Sequence, residues 1–241
     1  MDDAAEMAFI AARLADRSRM AMVVSLMDGQ ARTSTDLGLA VNVSAPSASM
    51  HLAKLVQAGI LIATENGRNK YYRIASPAIA HAVEAIAAAV RAPLPIREPA
   101  EERRRHQTAN PWAFARACYD HLAGWLGVEL ADALERRDYV RPGGRAIYVV
   151  TSNGIAWMKS IGIDWEQVAD QRRESVTQCL DWTEQRSHIG GALGAALFHQ
   201  MLRLEWVVKS RIPRLIRVTH KGESEFEKQL SLVNAQKPRL R

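Results

Sequence analysis

Two short motifs hold the residues of this sequence best suited to bind a metal ion or to change redox state. They consist of Cys118, Asp120 and His121 in the first case and of Cys179, Asp181 and His188 in the second. Two thiolates and two imidazoles can hold a soft metal ion tetrahedrally, whereas two thiols alone can form a disulfide. The sequence therefore predicts an effector or metal site here, with a soft metal ion or a thiol redox switch at the two cysteines as its chemistry.

Other roles for these motifs stay open. A free cysteine often only fills space in a core, and a histidine can hold a loop by bonding to backbone carbonyls. The aspartates can cap helices or pair with Arg116 and Arg186. Most of the aromatic residues also lie beyond residue 111, where they can form a core or a pocket for a small organic effector.

An internal duplication positions both motifs. The segment His121-Leu-Ala-Gly-Trp-Leu-Gly127 recurs as His188-Ile-Gly-Gly-Ala-Leu-Gly194, and a later V-T-x-x-G motif also occurs twice. We predict that each copy has a helix bearing Cys-x-Asp, a second helix, a β-hairpin and a closing helix. A pseudo-twofold axis between the copies could then bring the cysteines and histidines together.

A second stretch, residues 44–73, has the pattern of a DNA-reading element. Ser44 and Pro46 predict a helix start and Gly59 a helix end, and Asn66-Gly67 predicts a hairpin turn. Small polar residues at a helix N-terminus can reach base edges in a major groove, and a basic hairpin can contact phosphates. The predicted DNA contacts are Ser44, Ser47, Ser49 and His51 near bases, Lys54 on phosphate, and Arg68, Lys70 and Tyr71 on the hairpin.

The segment TSTDLGLAVNVSAPSASMHLAKLVQAGILIATENGRNKYYRIAS resembles the winged helix-turn-helix of the ArsR/SmtB repressors, and the likeness covers about residues 7–90. It implies a homodimeric repressor on a palindromic double-stranded DNA operator. It also implies that the first helix and residues 77–90 contact the second subunit. The metal-binding cysteines of that family are absent before the recognition helix, and His81 and Glu84 are half of another family site. We interpret these two as surface or interface residues.

The totals favour a folded protein without a membrane segment. Of 241 residues, 48% are hydrophobic and 24% charged, the net charge is +6, and no apolar run is long enough to span a bilayer. We expect a cytoplasmic protein, and two cysteines do not make a disulfide framework. The fold class is mainly α with small β-hairpins (α+β), with a winged helix-turn-helix over 1–92, a proline-rich linker over 93–110 and a duplicated, winged-helix-like domain over 111–235.

These patterns predict a DNA-binding regulator whose second domain senses a small-molecule or metal effector. No nucleophile elbow, zinc-protease motif or phosphate-binding loop is present, so we do not predict an enzyme. The alternative is that the second domain recruits a protein partner or has an enzyme-like role.

Overall fold

The computed structural model describes residues 3–90, 111–144 and 146–232. The chain divides into two compact units, Met1–Val83 and Glu84–Arg241. Helices dominate, and the strands form one three-stranded and four two-stranded sheets among the described residues, which confirms the predicted α+β class. The predicted linker lies outside the described residues, so the proposed domain boundaries stay a prediction. No helix in the described ranges is long and apolar enough to cross a membrane.

The first unit is a helix-turn-helix followed by a hairpin. Its elements are α1 (Asp3–Leu14), α2 (Arg17–Ser25), β1 (Arg32–Thr33), α3 (Ser34–Ala40), α4 (Ala45–Gln57), β2 (Leu61–Asn66) and β3 (Asn69–Ile74), and α5 (Pro77–Val90) contains the division between the units. Local capping fixes the helix starts: Thr33 and Asp36 form a capping box for α3, and Ser44 caps α4 by accepting from the Ser47 amide.

A regular antiparallel hairpin follows α4, with its turn at the predicted Asn66-Gly67. Strands β2 and β3 pair antiparallel from Leu61↔Ile74 to Asn66↔Asn69, around a turn in which Gly67 has a φ of 62°. The short strand β1 joins β3 as a third strand, and a two-residue strand gives no alternation that a sequence pattern could reveal.

The second unit contains two copies of one arrangement. The first copy has β4 (Arg116–Cys118), β5 (His121–Ala123), α7 (Trp125–Arg136), β6 (Val140–Pro142), β7 (Tyr148–Val150) and α8 (Ser152–Ser160). The second copy has β8 (Thr177–Leu180), β9 (Ser187–Gly190), α10 (Gly191–Arg203), β10 (Val207–Lys209), β11 (Ile216–Val218) and α11 (His220–Leu230). The short helices α6 (Pro111–Phe114) and α9 (Trp165–Ala169) precede the first copy and the second copy, respectively.

The prediction of a helix around each Cys-x-Asp motif was wrong. Cys118 ends strand β4 and Cys179 lies within strand β8, and each of these strands turns back into the strand that carries the matching histidine. Tyr119 and Gln185 have φ values of 60° and 52°, a left-handed conformation that breaks a helix and permits a turn. The later helix, hairpin and closing helix of each copy follow the prediction.

The two copies exchange backbone hydrogen bonds. Strand β4 bonds to the end of the other copy's hairpin, where the Ala117 amide donates to the carbonyl of Arg214 at 2.7 Å. Strand β8 of the second copy bonds to the hairpin of the first copy in the equivalent way, and the Gln178 amide donates to the carbonyl of Ala146 at 2.8 Å. The equivalent partners show that a pseudo-twofold axis relates the copies.

The repeated V-T-x-x-G motif closes each copy in the same way. Thr151 caps α8 and Thr219 caps α11, and each hydroxyl accepts from the amide of the glycine three residues on. A Cβ at Gly154 or at Gly222 would overlap a backbone carbonyl oxygen, so only glycine fits there. The motif is therefore a helix start packed directly on the backbone of the preceding turn.

Candidate functional site

The N-terminal end of α4 presents small polar side chains to solvent. Ser44 and Ser49 are exposed, Ser47 is half-buried, and Lys54 is exposed further along the helix. The opposite face holds the helix in place, because Ala48, Leu52 and Leu55 are fully buried in the core of the first unit. The apolar spacing thus aims hydroxyl groups outward from a helix that cannot rotate without exposing its leucines.

His51 occupies a more enclosed position than the other residues predicted on this helix. Its side chain is 12% exposed, and Nδ1 lies 3.7 Å from a carboxylate oxygen of Asp16, the residue that caps α2. A contact of His51 with a base edge stays a prediction, and the structure adds that Asp16 can orient the ring.

The hairpin of β2 and β3 carries cations at its tip. Arg68, Lys70 and Arg73 are exposed, and Tyr71 is half-buried. Glu65 is opposite Lys70 in the strand register and is the acidic residue of this hairpin. The tip therefore has a net positive charge that is free to meet an anionic surface.

The second unit brings the two cysteines and two histidines of the duplicated motifs together. One ligand atom from each of Cys118, His121, Cys179 and His188 lies within 4.8 Å of all the others. Cys118 faces His121 across strands β4 and β5, and Cys179 faces His188 across β8 and β9. We call these four residues the Cys2His2 cluster.

Glycine positions on the two long helices let the histidines approach each other. A Cβ at Gly194 of α10 would lie 3.1 Å from the Cβ of His121, and one at Gly127 of α7 would lie 3.6 Å from that of His188, so each histidine packs on the helix of the other copy. The same Cβ atoms would overlap the carbonyl oxygens of Ile189 and Leu122, respectively, which is what requires glycine at both positions.

The inner nitrogens of the two histidines face each other, and the outer nitrogens face carboxylates. The two Nε2 atoms are 3.1 Å apart. His121 Nδ1 lies 3.2 Å from Asp120, and His188 Nδ1 lies 3.5 Å from Asp181. Both motifs thus place an aspartate behind the histidine on the side away from the cluster.

The two aspartates differ in burial. Asp181 is fully buried and accepts hydrogen bonds from Arg116, from the Gly124 amide and from Thr183. Burial alone would raise the pKa of Asp181, but the charges of Arg116 and His188 and these hydrogen bonds outweigh it and hold the pKa well below its usual range.

Asp120 is 23% exposed and bonds to Arg173 rather than to Arg116 or Arg186. Burial acts to raise the pKa of this carboxyl too. The hydrogen bonds from His121 and Arg173 act to lower the pKa and have the larger combined effect, so the net shift is downward. Arg186 instead contacts Glu129 and Asp132. Arg116 therefore pairs with the aspartate of the other copy, Asp181, and the side chain of Arg186 contacts carboxylates outside the two motifs.

The cysteines are free thiols in a dry environment. A hydrogen bond with Cys179, followed by burial, raises the pKa of the Cys118 thiol far above its usual value. The Cys118 thiol is therefore a poor nucleophile in this environment.

The interpretation of Glu84 as a surface or interface residue was wrong, because its side chain is buried next to the Cys2His2 cluster. Glu84 is 2% exposed and forms an ion pair with Arg214, and its other oxygen lies 3.9 Å from Arg116. Arg214 in turn donates to the carbonyl of Ala117, one residue before Cys118. The spacing of His81 and Glu84 in the sequence does not reveal this ion pair, because Arg214 is more than a hundred positions away from Glu84 in the chain.

Comparisons with known proteins give one family and one full-length relative. The family model described as "Bacterial regulatory protein, arsR family" matches residues 16–63. A Bacillus subtilis (strain 168) protein, named an uncharacterized HTH-type transcriptional regulator, YdfF, is 37% identical over 228 residues, which covers 92% of this chain and 96% of the relative.

Solved structures match the first part of the chain. A homodimeric winged helix-turn-helix DNA-binding domain from Mycobacterium bovis, described as a possible ArsR-family regulator, is 22% identical, covers 39% of this chain and 86% of that one, and has a TM-score of 0.36. The transcriptional repressor BigR from Xylella fastidiosa is 24% identical, covers 36% of this chain and 87% of that one, and has a TM-score of 0.34.

Proposed function

The chain belongs to the ArsR family of bacterial regulatory proteins and is a DNA-binding transcriptional regulator, and from this premise we propose that it is a homodimeric repressor whose second unit responds to an effector. The observation that carries the DNA-binding mode is the first unit's surface. The exposed serines at the start of α4 and the cationic tip of the hairpin suit base edges and phosphates, respectively.

In this proposal α4 reads bases in a major groove. Ser44, Ser47 and Ser49 are within reach of base edges at the helix start, and Lys54 meets a phosphate. Arg68 and Lys70 hold the hairpin against the backbone with Tyr71 beside them. Hydroxyls at the helix start give the selectivity, and the cations supply sequence-independent affinity.

Selection of binding sites from random duplexes tests this mode. A dimer with twofold symmetry should select a palindrome whose half-sites lie about one helical turn apart. A selected site without palindromic symmetry would contradict the proposal of two equivalent reading helices.

Exposed apolar residues on α1 and α5 support the homodimer. Met7 and Phe9 on α1 are 67% and 42% exposed, and Ile86 and Val90 on α5 are 43% and 80% exposed. Single apolar residues at a surface are ordinary, but repeated ones on the two helices that contact the second subunit in related repressors suit an interface between copies.

Sedimentation equilibrium of charged variants tests the dimer. Phe9→Glu or Val90→Glu should shift the protein towards monomer, because a charge would be buried against the partner. Leu39→Glu is the matched control, since Leu39 is an apolar residue of α3 that is 76% exposed. Equal behaviour of all three variants would argue against an interface on α1 and α5.

The effector part of the proposal is tested separately from DNA binding. Fluorescence anisotropy of labelled operator DNA should show lower affinity when zinc, cadmium or mercury ions, or a thiol oxidant, are added to protein stripped of metal. An affinity that stays constant while the ion is demonstrably bound would exclude the metal ion as the effector and leave the DNA-binding role intact.

A further inference from the structure

The Cys2His2 cluster is enclosed on every side. Cys118, His121 and His188 have no exposed surface, and Cys179 is 8% exposed. Four potential ligand atoms converge within 4.8 Å in this dry environment. Tetrahedral coordination at bond lengths of about 2.0–2.3 Å places ligand atoms roughly 3.3–3.8 Å apart, so the cluster needs only a small inward movement to bind an ion.

The orientation of the histidines favours a cation between them. An imidazole whose Nδ1–H donates to a carboxylate presents a lone pair at Nε2, and both rings have a carboxylate oxygen near Nδ1. The two Nε2 atoms lie 3.1 Å apart, so a proton or a metal ion bound between them interacts with both rings. Among the described residues His188 Nδ1 has no hydrogen bond of normal geometry, and its nearest carboxylate oxygen is that of Asp181 at 3.5 Å.

We propose that Cys118, His121, Cys179 and His188 form a closed, four-coordinate site for a zinc-class metal ion, with two ligands from each copy of the duplicated unit. Two thiolates with two imidazoles are a donor set that Zn²⁺ and related soft ions prefer. With four protein ligands and no exposed position, the site has no place for a substrate, and the ion ties hairpin β4–β5 to hairpin β8–β9.

The charges and protons of this site balance. Binding of one divalent ion displaces the thiol protons of Cys118 and Cys179, together with any proton held between the two Nε2 atoms, to solvent, and the two thiolates neutralise the ion. The buried core of the site then has no net charge, so the large cost of burying an uncompensated ion does not arise. The histidines bind as neutral rings through Nε2.

The two aspartates lie where they can accept hydrogen bonds from the coordinating histidines. A carboxylate that accepts the Nδ1 proton of a coordinating histidine fixes the tautomer and the ring orientation, and its loss reduces metal affinity about 10–100-fold. Asp120 and Asp181 occupy this position behind His121 and His188. Metal binding rests on this geometry alone and does not depend on the DNA-binding role.

The test uses the full-length wild-type protein and cobalt as a spectroscopic probe. Protein stripped of metal should bind one Co²⁺ per chain, with the intense thiolate-to-cobalt charge-transfer band and the visible bands of tetrahedral cobalt. Stoichiometric Zn²⁺ should bleach these bands, and zinc should protect both thiols from alkylation. Elemental analysis of untreated protein should give one equivalent of a soft metal ion per chain.

Variants locate the site. Cys118→Ser and His188→Asn should abolish the charge-transfer band or convert it to that of a three-ligand site, and Asp120→Asn should keep the band but weaken cobalt binding about 10–100-fold. His199→Asn is the matched control, because His199 is an exposed histidine of α10 in the same unit and should change nothing.

Three results would overturn the proposal. Cobalt could bind without a thiolate band, which would place it elsewhere on the chain. The wild-type protein could fail to bind cobalt or zinc with its thiols reduced, which would leave the four residues to packing. The intact protein could instead have a mass two hydrogens lower, with no metal and a Cys118–Cys179 disulfide, which would favour redox chemistry. The wild-type measurements decide even if a cysteine variant does not fold.

Discussion

Replacing Asp181 by asparagine should destabilise the second unit far more than the same change at its counterpart Asp120. Asp181 has no exposed surface and is 2.9 Å from Arg116, which is also fully buried. Asparagine keeps the size of the side chain but removes the negative charge. The change therefore leaves a guanidinium without its strongest partner in a region that water does not reach.

The structure sets the expected magnitude. Breaking a buried ion pair from one side costs about 3–5 kcal/mol, and Asp181 also accepts from Gly124 and Thr183, whose donors would then face an amide group. Asp120 is 23% exposed and its partner Arg173 is 26% exposed, so solvent screens that pair and its loss should cost under about 1 kcal/mol. For a unit of this size, the Asp181 change corresponds to a fall in melting temperature of roughly 6–20 °C.

Tryptophan fluorescence provides an assay specific to this unit, since the six tryptophans lie at positions 112, 125, 157, 165, 182 and 206. Thermal and denaturant unfolding should be measured with a chelator present, so that any bound metal does not contribute. Equal losses for Asp181→Asn and Asp120→Asn would refute the reasoning that burial of the ion pair sets the cost.

The ion pair of Asp181 with Arg116 should also affect stability in acid. The pKa of Asp181 in the folded protein lies below its unfolded value, so its contribution to stability is complete above the ordinary carboxyl pKa of about 3.9 and is lost as pH falls from there through the folded pKa. The wild-type protein should therefore lose its advantage over Asp181→Asn in acid, and unfolding of both proteins as a function of pH checks this. A difference that stays constant into strong acid would contradict it.

Three further predictions concern the DNA-reading unit and the duplicated fold. The double variant Arg68→Gln, Lys70→Gln should weaken binding to all sequences and reduce the slope of log affinity against log salt by about 0.9 for each phosphate that the hairpin no longer neutralises, and an unchanged slope would reject the hairpin assignment. Ser47→Ala or His51→Ala should instead change the selected sequence, and unaltered selectivity would count against the α4 assignment. Gly222→Ala should cost about 1–3 kcal/mol or more in unfolding experiments, because the new Cβ overlaps a backbone carbonyl oxygen.

Local signals in the sequence were enough to predict the first unit. The cap at Ser44, the proline in the first turn and the apolar face of Leu52 and Leu55 all act within one helix, so α4 follows from short-range chemistry. Gly67 likewise places the hairpin turn. Strand β1 could not be predicted, because two residues pair only with a strand some forty positions later.

In the second unit the sequence predicts the candidate ligands but not the strands and ion pairs that position them. The duplication made Cys118 and Cys179 equivalent, and equivalence about an axis is what allowed the ligand set to be proposed. The strands that carry them could not be recognised, since β4 has three residues and gains its further backbone partner from Leu215. The pairing of Arg116 with Asp181, and of Arg214 with Glu84, also depends on the folded chain, because no local pattern joins residues so distant in sequence.

The reciprocal backbone hydrogen bonds between the copies resemble the interface of a homodimer whose subunits share one polypeptide. In a true homodimer both halves have the same sequence, so any change appears twice and the two sides of the axis stay identical. Covalent joining removes that restriction. One half can then keep a dry ion pair at Asp181 while the other turns its aspartate towards solvent, and a centre built from both halves can be tuned on one side alone.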